Sequence, residues 1–203
     1  MNALAYTEDQ LDALGELVNI AVGQAGASLA RVLDTYVRLS VPQARVVSAA
    51  AVSRAVTELT PEGTHDTVVR QAFFSAMRGE AIVLFGRQGG RGIGDLLGYQ
   101  AFHDAASEEV LLDVSNILVG AVLSGLGEQI GARFGFQAPT VLGRETELSE
   151  LLEPAAVPWS QALLIEVDFE VESRGFSCHL VLLMPEDAIE RMRAVLNRML
   201  AAL

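Results

Sequence analysis

Acids and asparagines recur at matching positions in the two halves of this chain, and they are its best candidates for chemistry. Each set has an acid, a second acid four residues later and an asparagine three residues after that: Asp12, Glu16 and Asn19 in the first half, and Glu109, Asp113 and Asn116 in the second. Residues at i, i+4 and i+7 lie on one face of a helix. Carboxylates attract cationic groups, and a carboxamide both donates and accepts hydrogen bonds. Such a face is suited to meeting a polar partner.

Helical periodicity predicts that both polar sets point away from the core. Apolar residues recur at helical spacing over residues 8 to about 33, and a second long helix is predicted over about 107–134. At 100° per residue, the first set lies roughly 140° from the centre of its apolar stripe, and the second set lies roughly 170° away. A glycine follows each asparagine by four residues, so Gly23 and Gly120 should leave room for another molecule to approach.

The plainer interpretation is that these acids only form a solvated helix face. Asparagine and glycine, however, each cost roughly 0.5–1 kcal/mol relative to alanine inside a helix, and both recur at matching places. An internal duplication would explain why these residues recur, but it would not explain why both sets point away from the core.

The halves have the same predicted order of elements, which indicates an internal duplication. The segments that begin at Asn19 and Asn116 are offset by 97 residues, as are Pro42 and Pro139. Hairpins are predicted over 68–85 and 162–183, a helix over 186–203, and no regular element over 48–66. The sequence predicts an α/β fold of the α+β type: one internally duplicated, pseudo-two-fold domain over 1–203, with repeats at about 8–98 and 105–203. An antiparallel-rich sheet should carry two long helices on one face.

Composition excludes several classes of function. The net charge of −12 disfavours nucleic acid and anionic membrane surfaces as partners. Cys178, the single cysteine, lies in a strand-like segment and should be a buried small residue, and the three histidines have no spacing typical of a metal site. The glycine-rich segment 86–94 has no phosphate-loop motif. We find no signal-peptide pattern at the start, and the apolar stretch 117–126 is too short to span a membrane, so we expect a cytoplasmic protein.

Taken together, the two sets resemble the CheC/CheX/FliY family of CheY-phosphate phosphatases. The family pattern is an acid or serine, three residues, Glu, two residues, Asn, twenty-two residues and Pro. The first half matches it at every position, through Pro42. The second half keeps the spacing through Pro139, with Glu109 and Asp113 as conservative departures. The length and the duplicated layout are similar to CheC.

The resemblance implies a hydrolase that removes the aspartyl phosphate of a CheY-like response regulator in chemotaxis. Asn19 and Asn116 would orient the attacking water, and Glu16 and Asp113 would pair with the receiver's active-site lysine; an acid acting as general base is the alternative role. Asp12, Gly23, Glu109 and Gly120 would contact the partner. The receiver would supply its own Mg²⁺, so the resemblance implies no cofactor or metal site of this chain's own.

The second site departs from the family pattern. Asp113 is shorter than Glu by about 1.3–1.5 Å of reach, and a 1 Å error in placement can cost on the order of 100-fold in rate. We therefore predict that site one is fully competent and that site two is weaker.

Two other functions are compatible with parts of the pattern. One is a non-catalytic adapter that binds the phosphorylated CheY-like receiver, the receptor deamidase CheD, or both. The resemblance places the CheD contact near residues 145–153. The other is a glycosidase-like enzyme with two carboxylates, which fits less well because the acids are predicted on exposed helix faces and not in one pocket.

Overall fold

In the part of the chain that the structure describes, eight strands form one antiparallel sheet and four helices pack on it. The computed structural model describes residues 6–58, 65–86, 104–144, 160–171, 173 and 176–202. The helices are α1 (Glu8–Leu33), α2 (Ala49–Glu58), α3 (Asp104–Ile130) and α4 (Glu186–Leu200). The strands are β1 (Arg38–Leu39), β2 (Gln43–Ser48), β3 (His65–Ser75), β4 (Gly79–Gly86), β5 (Phe134–Phe136), β6 (Thr140–Arg144), β7 (Gln161–Val171) and β8 (Phe176–Pro185).

The sheet exchanges strands between the two halves of the chain. Its order is β1-β7-β8-β4-β3-β5, and β2 also pairs with β7 while β6 also pairs with β3. The central pairing joins β4 of the first half to β8 of the second half, where Val83 lies opposite Leu180. The second strands of the two hairpins therefore meet at the middle of the sheet. The division into repeats at about 8–98 and 105–203 stays a prediction, and this arrangement supports it.

A capping box fixes the start of α1. The Thr7 side chain accepts a hydrogen bond from the Gln10 backbone, and the Gln10 side chain accepts one from the Thr7 backbone. Gln10 also donates to Asn197 Oδ1 at 2.7 Å, which ties α1 to α4. Glu8 and Asp9 in the first turn suit the positive end of the helix dipole. The predicted helix start is confirmed.

Both faces of the sheet are covered. The main core joins α1, α3 and α4 to one face of the sheet, and a smaller core joins α2 to the other face. The two long helices lie on one face, as predicted. The part of α3 from residue 108 to residue 130 is long and apolar enough to cross a membrane. However, 61% of its most apolar 18-residue stretch is buried inside the fold, as in the core helix of a globular domain.

The structure differs from the sequence prediction in two connections. Residues 48–66, predicted without a regular element, contain the end of β2, all of α2 and the start of β3. Val52, Ala55 and Val56 of α2 belong to the smaller core. The second long helix ends at Ile130 and not at 134, because Gly131 takes a left-handed conformation, with φ of 66°. Of the glycine-rich segment 86–94, the structure describes only Gly86, the last residue of β4, and the acidic segment 145–153 lies wholly outside the described residues.

Two glycine-to-alanine substitutions compare a tightly packed position, Gly79 in the β3–β4 hairpin, with an open position, Gly15 in α1. In Gly79→Ala the new Cβ would overlap the Leu183 carbonyl oxygen and the Phe73 ring, so we expect a loss of about 1–3 kcal/mol of stability. In Gly15→Ala the Cβ would meet nothing within 4 Å, and the helix should gain roughly 0.5–1 kcal/mol. Thermal melts of the two variants measure this. A melting temperature for Gly79→Ala at or above that of Gly15→Ala would contradict the packing described here.

Candidate functional site on the exposed helix faces

Site one is an exposed polar face on the N-terminal half of α1. Asp12, Glu16 and Asn19 are all exposed, whereas the residues between them that face the sheet, such as Leu14 and Leu17, are buried. The Asn19 carboxamide makes no hydrogen bond to another described residue. Burial of the opposite face of α1 thus directs a free carboxamide and two carboxylates into solvent.

Two glycines keep the surface around Asn19 open. Gly15 and Gly23 lie one helical turn before and after Asn19, and a Cβ at either would meet nothing within 4 Å. Exposed apolar side chains flank the same region, since Leu11 is 41% and Ile20 is 38% exposed. The face therefore combines polar groups, apolar groups and free space, which is typical of a protein-binding surface.

Charge on this face has one sign. Residues 8–20 contain four acids, Glu8, Asp9, Asp12 and Glu16, and no basic residue. All four are exposed. Such a surface attracts a cationic partner and repels phosphate backbones.

Site two has the corresponding two acids and asparagine exposed on α3, but a side chain of the sheet is hydrogen-bonded to its asparagine. Glu109, Asp113 and Asn116 are exposed. Gln71 of β3, which is 1% exposed, donates from Nε2 to Asn116 Oδ1 at 2.9 Å. Sequence reasoning missed Gln71; the one available signal is a glutamine in a strand whose alternate residues, Val69 and Phe73, are core residues.

The orientation of the Gln71 amide is fixed by a second bond. Its Nε2 also donates to the Gln137 carbonyl oxygen at 2.8 Å, and a carbonyl oxygen can only accept. Gln71 Oε1 is buried and has no partner among the described residues. Leaving a buried acceptor without a partner typically costs about 1–3 kcal/mol. The fold thus retains an unfavourable group beneath Asn116.

Site one has no counterpart of Gln71. Gln137 donates from its backbone to the Ala72 carbonyl oxygen, and Ser40, the residue 97 positions before Gln137, donates in the same way to Asp168. By this correspondence, the residue in the place of Gln71 is Val167, which is 3% exposed and belongs to the main core. A valine side chain has no donor to offer to Asn19.

The two glycines beyond the asparagines also differ. We expected both Gly23 and Gly120 to leave room for a partner. The space at Gly23 is open, but a Cβ at Gly120 would lie 3.3 Å from the Phe136 ring. Phe136, which is 41% exposed, therefore occupies the room that Gly120 leaves.

Among the described residues, the side chains with perturbed pKa values are those of Tyr6, Asp168 and Cys178, which belong to neither set. A hydrogen bond from His179 lowers the pKa of Asp168, and burial raises the pKa of the Cys178 thiol above its ordinary value. Cys178 is fully buried, which confirms the prediction of a small core residue and excludes an accessible thiolate. Among the described residues, no group of three or more His, Cys, Asp or Glu side chains could hold a metal ion.

Comparison with solved structures assigns the fold. FliY from Thermotoga maritima superposes with a TM-score of 0.71 at 18% identity, over 96% of this chain and 98% of that one. A CheC-like superfamily protein from Shewanella sp. PV-4 gives a TM-score of 0.53 at 10% identity, over 88% and 98% of the two chains. The chain has the CheC-like fold.

The chain is also similar in structure to a domain of a further protein, FliM. The FliM middle domain from H. pylori gives a TM-score of 0.61 at 10% identity, over 94% of this chain and 99% of that one. No family model and no curated protein sequence matches the chain. The comparisons establish the CheC-like fold, and the function has to be argued from the exposed faces of α1 and α3.

Alanine substitutions of the two asparagines should differ in their effect on stability. Asn19→Ala removes no hydrogen bond to a described residue and improves helix propensity, so we expect a gain of about 0.5 kcal/mol. Asn116→Ala removes the acceptor of a Gln71 hydrogen bond worth about 0.5–1.5 kcal/mol, which should cancel or exceed that gain. Urea unfolding measures both. Equal stabilisation by the two substitutions would contradict the hydrogen bond to Asn116.

Proposed function

We propose that this protein is a phosphatase that hydrolyses the aspartyl phosphate of a CheY-like response regulator in chemotaxis. The observation that carries the proposal is the Asn19 carboxamide, which is exposed, free of hydrogen bonds to described residues and flanked by open glycine positions. The match of this helix to the CheC/CheX/FliY pattern and the CheC-like fold support the same conclusion.

The chemistry requires little from this chain beyond placement. In the proposed reaction, Asn19 Oδ1 accepts a hydrogen bond from a water molecule and holds it in line with the phosphorus of the phosphoaspartate. The water oxygen forms the new bond to phosphorus as the bond to the aspartate oxygen breaks. The aspartate carboxylate leaves, and the protons of the water remain with the inorganic phosphate and solvent. Phosphoryl transfer depends mainly on positioning and charge neutralisation, and the partner's receiver domain supplies the Mg²⁺.

The acids of α1 provide the docking register. Glu16 lies one turn before Asn19 and is exposed, so it can pair with the lysine of the receiver's active site while the amide enters that site. Asp12 extends the acidic surface by a further turn, and the open position at Gly23 gives the receiver backbone room to approach. A negative helix face meeting a lysine-containing site is electrostatically favourable.

Site two is proposed as the weaker of the two. Asp113 has a shorter side chain than Glu16, Asn116 has its oxygen engaged by Gln71, and Phe136 lies against Gly120. Each of these differences reduces the freedom of site two to place a water molecule. Proposed contacts of Glu109 and Gly120 with the receiver follow from their position on the same face of α3.

The second candidate function is that of a non-catalytic adapter, and the structural similarity to the FliM middle domain supports this candidate. An adapter would bind the phosphorylated receiver, CheD, or both, without changing the lifetime of the phosphoryl group. We place either function in the cytoplasm, where the proposed receiver acts.

Decay of a phosphorylated CheY-like receiver, followed with Mg²⁺ present, should distinguish the two functions. We expect the wild-type chain to accelerate the decay and the Asn19→Ala, Asn116→Ala double variant to abolish the acceleration. Asn19→Ala alone should lower the rate of site one by on the order of 100-fold, because the water loses its acceptor. Asn116→Ala alone should have the smaller effect.

Matched acid substitutions control for general effects of charge. Glu16→Gln should weaken binding of the receiver, whereas Glu58→Gln, an exposed acid of α2 on the opposite face of the sheet, should change neither binding nor rate. Binding of the phosphorylated receiver without any change in its decay would support the adapter and contradict the phosphatase. A larger loss from Asn116→Ala than from Asn19→Ala would reverse the ranking of the sites.

A further inference from the structure

Gln71 is an unexpected residue for its position. It lies on the helix-facing side of β3 between Val69 and Phe73 and is 1% exposed. Its Oε1 has no partner among the described residues. The corresponding position in the other half is occupied by Val167, so the fold does not require a polar side chain here. Polar groups retained in a core against such a penalty commonly serve a nearby site.

Both hydrogen atoms of the Gln71 amide are committed. One goes to the Gln137 carbonyl oxygen at 2.8 Å, which sets the rotation of the amide, and the other goes to Asn116 Oδ1 at 2.9 Å. Asn116 therefore has its oxygen turned toward the sheet. Its Nδ2 group makes no hydrogen bond to a described residue and is turned away from Gln71, so both of its hydrogen atoms are available to a ligand.

We propose that Gln71 is a positioning residue that makes the two sites chemically different: it fixes Asn116 so that site two offers an N–H donor, whereas Asn19 in site one is free to offer its oxygen. A donor suits an anionic oxygen of the phosphoryl group, and an oxygen acceptor suits the attacking water. Site two then contributes mainly binding of the phosphorylated receiver, and site one contributes turnover. This inference rests on the phosphatase function proposed above.

Replacing Gln71 by the residue of the other half tests the proposal. In an Asn19→Ala background, where only site two can act, Gln71→Val should release the Asn116 oxygen and raise kcat at least about threefold. KM should rise as well, because the oriented N–H donor is lost. Gln71→Met, which keeps the length of the side chain without its donor, should give the same result. A buried structural residue would lower kcat or leave it unchanged, and either of those results would overturn the proposal.

The dependence on Asn116 is the decisive control. In the Asn19→Ala, Asn116→Ala background, Gln71→Val should have no effect on the rate, and an effect of similar size there would overturn the proposal. The reciprocal change Val167→Gln, made in an Asn116→Ala background, should lower the rate of site one by placing a donor beneath Asn19. A rate equal to that of Asn116→Ala, in a chain that melts normally, would also count against the proposal.

A measurement without turnover separates this inference from the proposed function. In ¹⁵N–¹H spectra of the full chain without a partner, Gln71→Val should shift the side-chain amide signals of Asn116 and leave those of Asn19 unchanged. If the wild-type chain does not accelerate receiver decay, the phosphatase proposal fails, and these signals alone decide whether Gln71 fixes Asn116. Unshifted Asn116 signals would overturn the role of Gln71 even in an active phosphatase.

Discussion

Burial of one face of α1 and α3 against a shared antiparallel sheet determines what their opposite faces can do. The main core takes the apolar residues of both helices, so the residues half a turn away must face solvent. The sheet itself depends on the exchange of strands, because β2 of the first half pairs with β7 and β6 of the second half pairs with β3. Each long helix thus lies on a rigid platform built by both halves, and such a platform can present a small number of side chains with fixed geometry.

The same platform allows the two helix faces to differ in chemistry. The exposed residues of the two sites are nearly the same in kind, yet Gln71 of the sheet holds Asn116, whereas the corresponding sheet residue of the other half is Val167. In the proposed arrangement, this single buried donor turns the oxygen of the Asn116 carboxamide toward the sheet and its N–H group outward. Duplication of the helix is thereby compatible with a division between a site that turns over substrate and a site that holds it.

The periodic features of the sequence were enough to predict the elements that create the exposed faces. The long helices, the hairpins and the outward direction of Asn19 all follow from local spacing and propensity. The role of Gln71 does not, because it depends on a contact between residues 45 positions apart and on the orientation of an amide set by Gln137. The contact of Phe136 with Gly120 was missed for the same reason, and α2 was missed because it has only ten residues and begins directly after β2.

In the proposed complex, the Asn19 amide enters the partner's active site. Its side-chain ¹⁵N–¹H signals can be followed while the chain is titrated with a CheY-like receiver carrying Mg²⁺ and beryllium fluoride, a stable analogue of the phosphoryl group. We expect the Asn19 signals to shift in a saturable way with the analogue present and to change little with the unmodified receiver. Saturable binding that leaves the Asn19 signals unchanged would contradict the account.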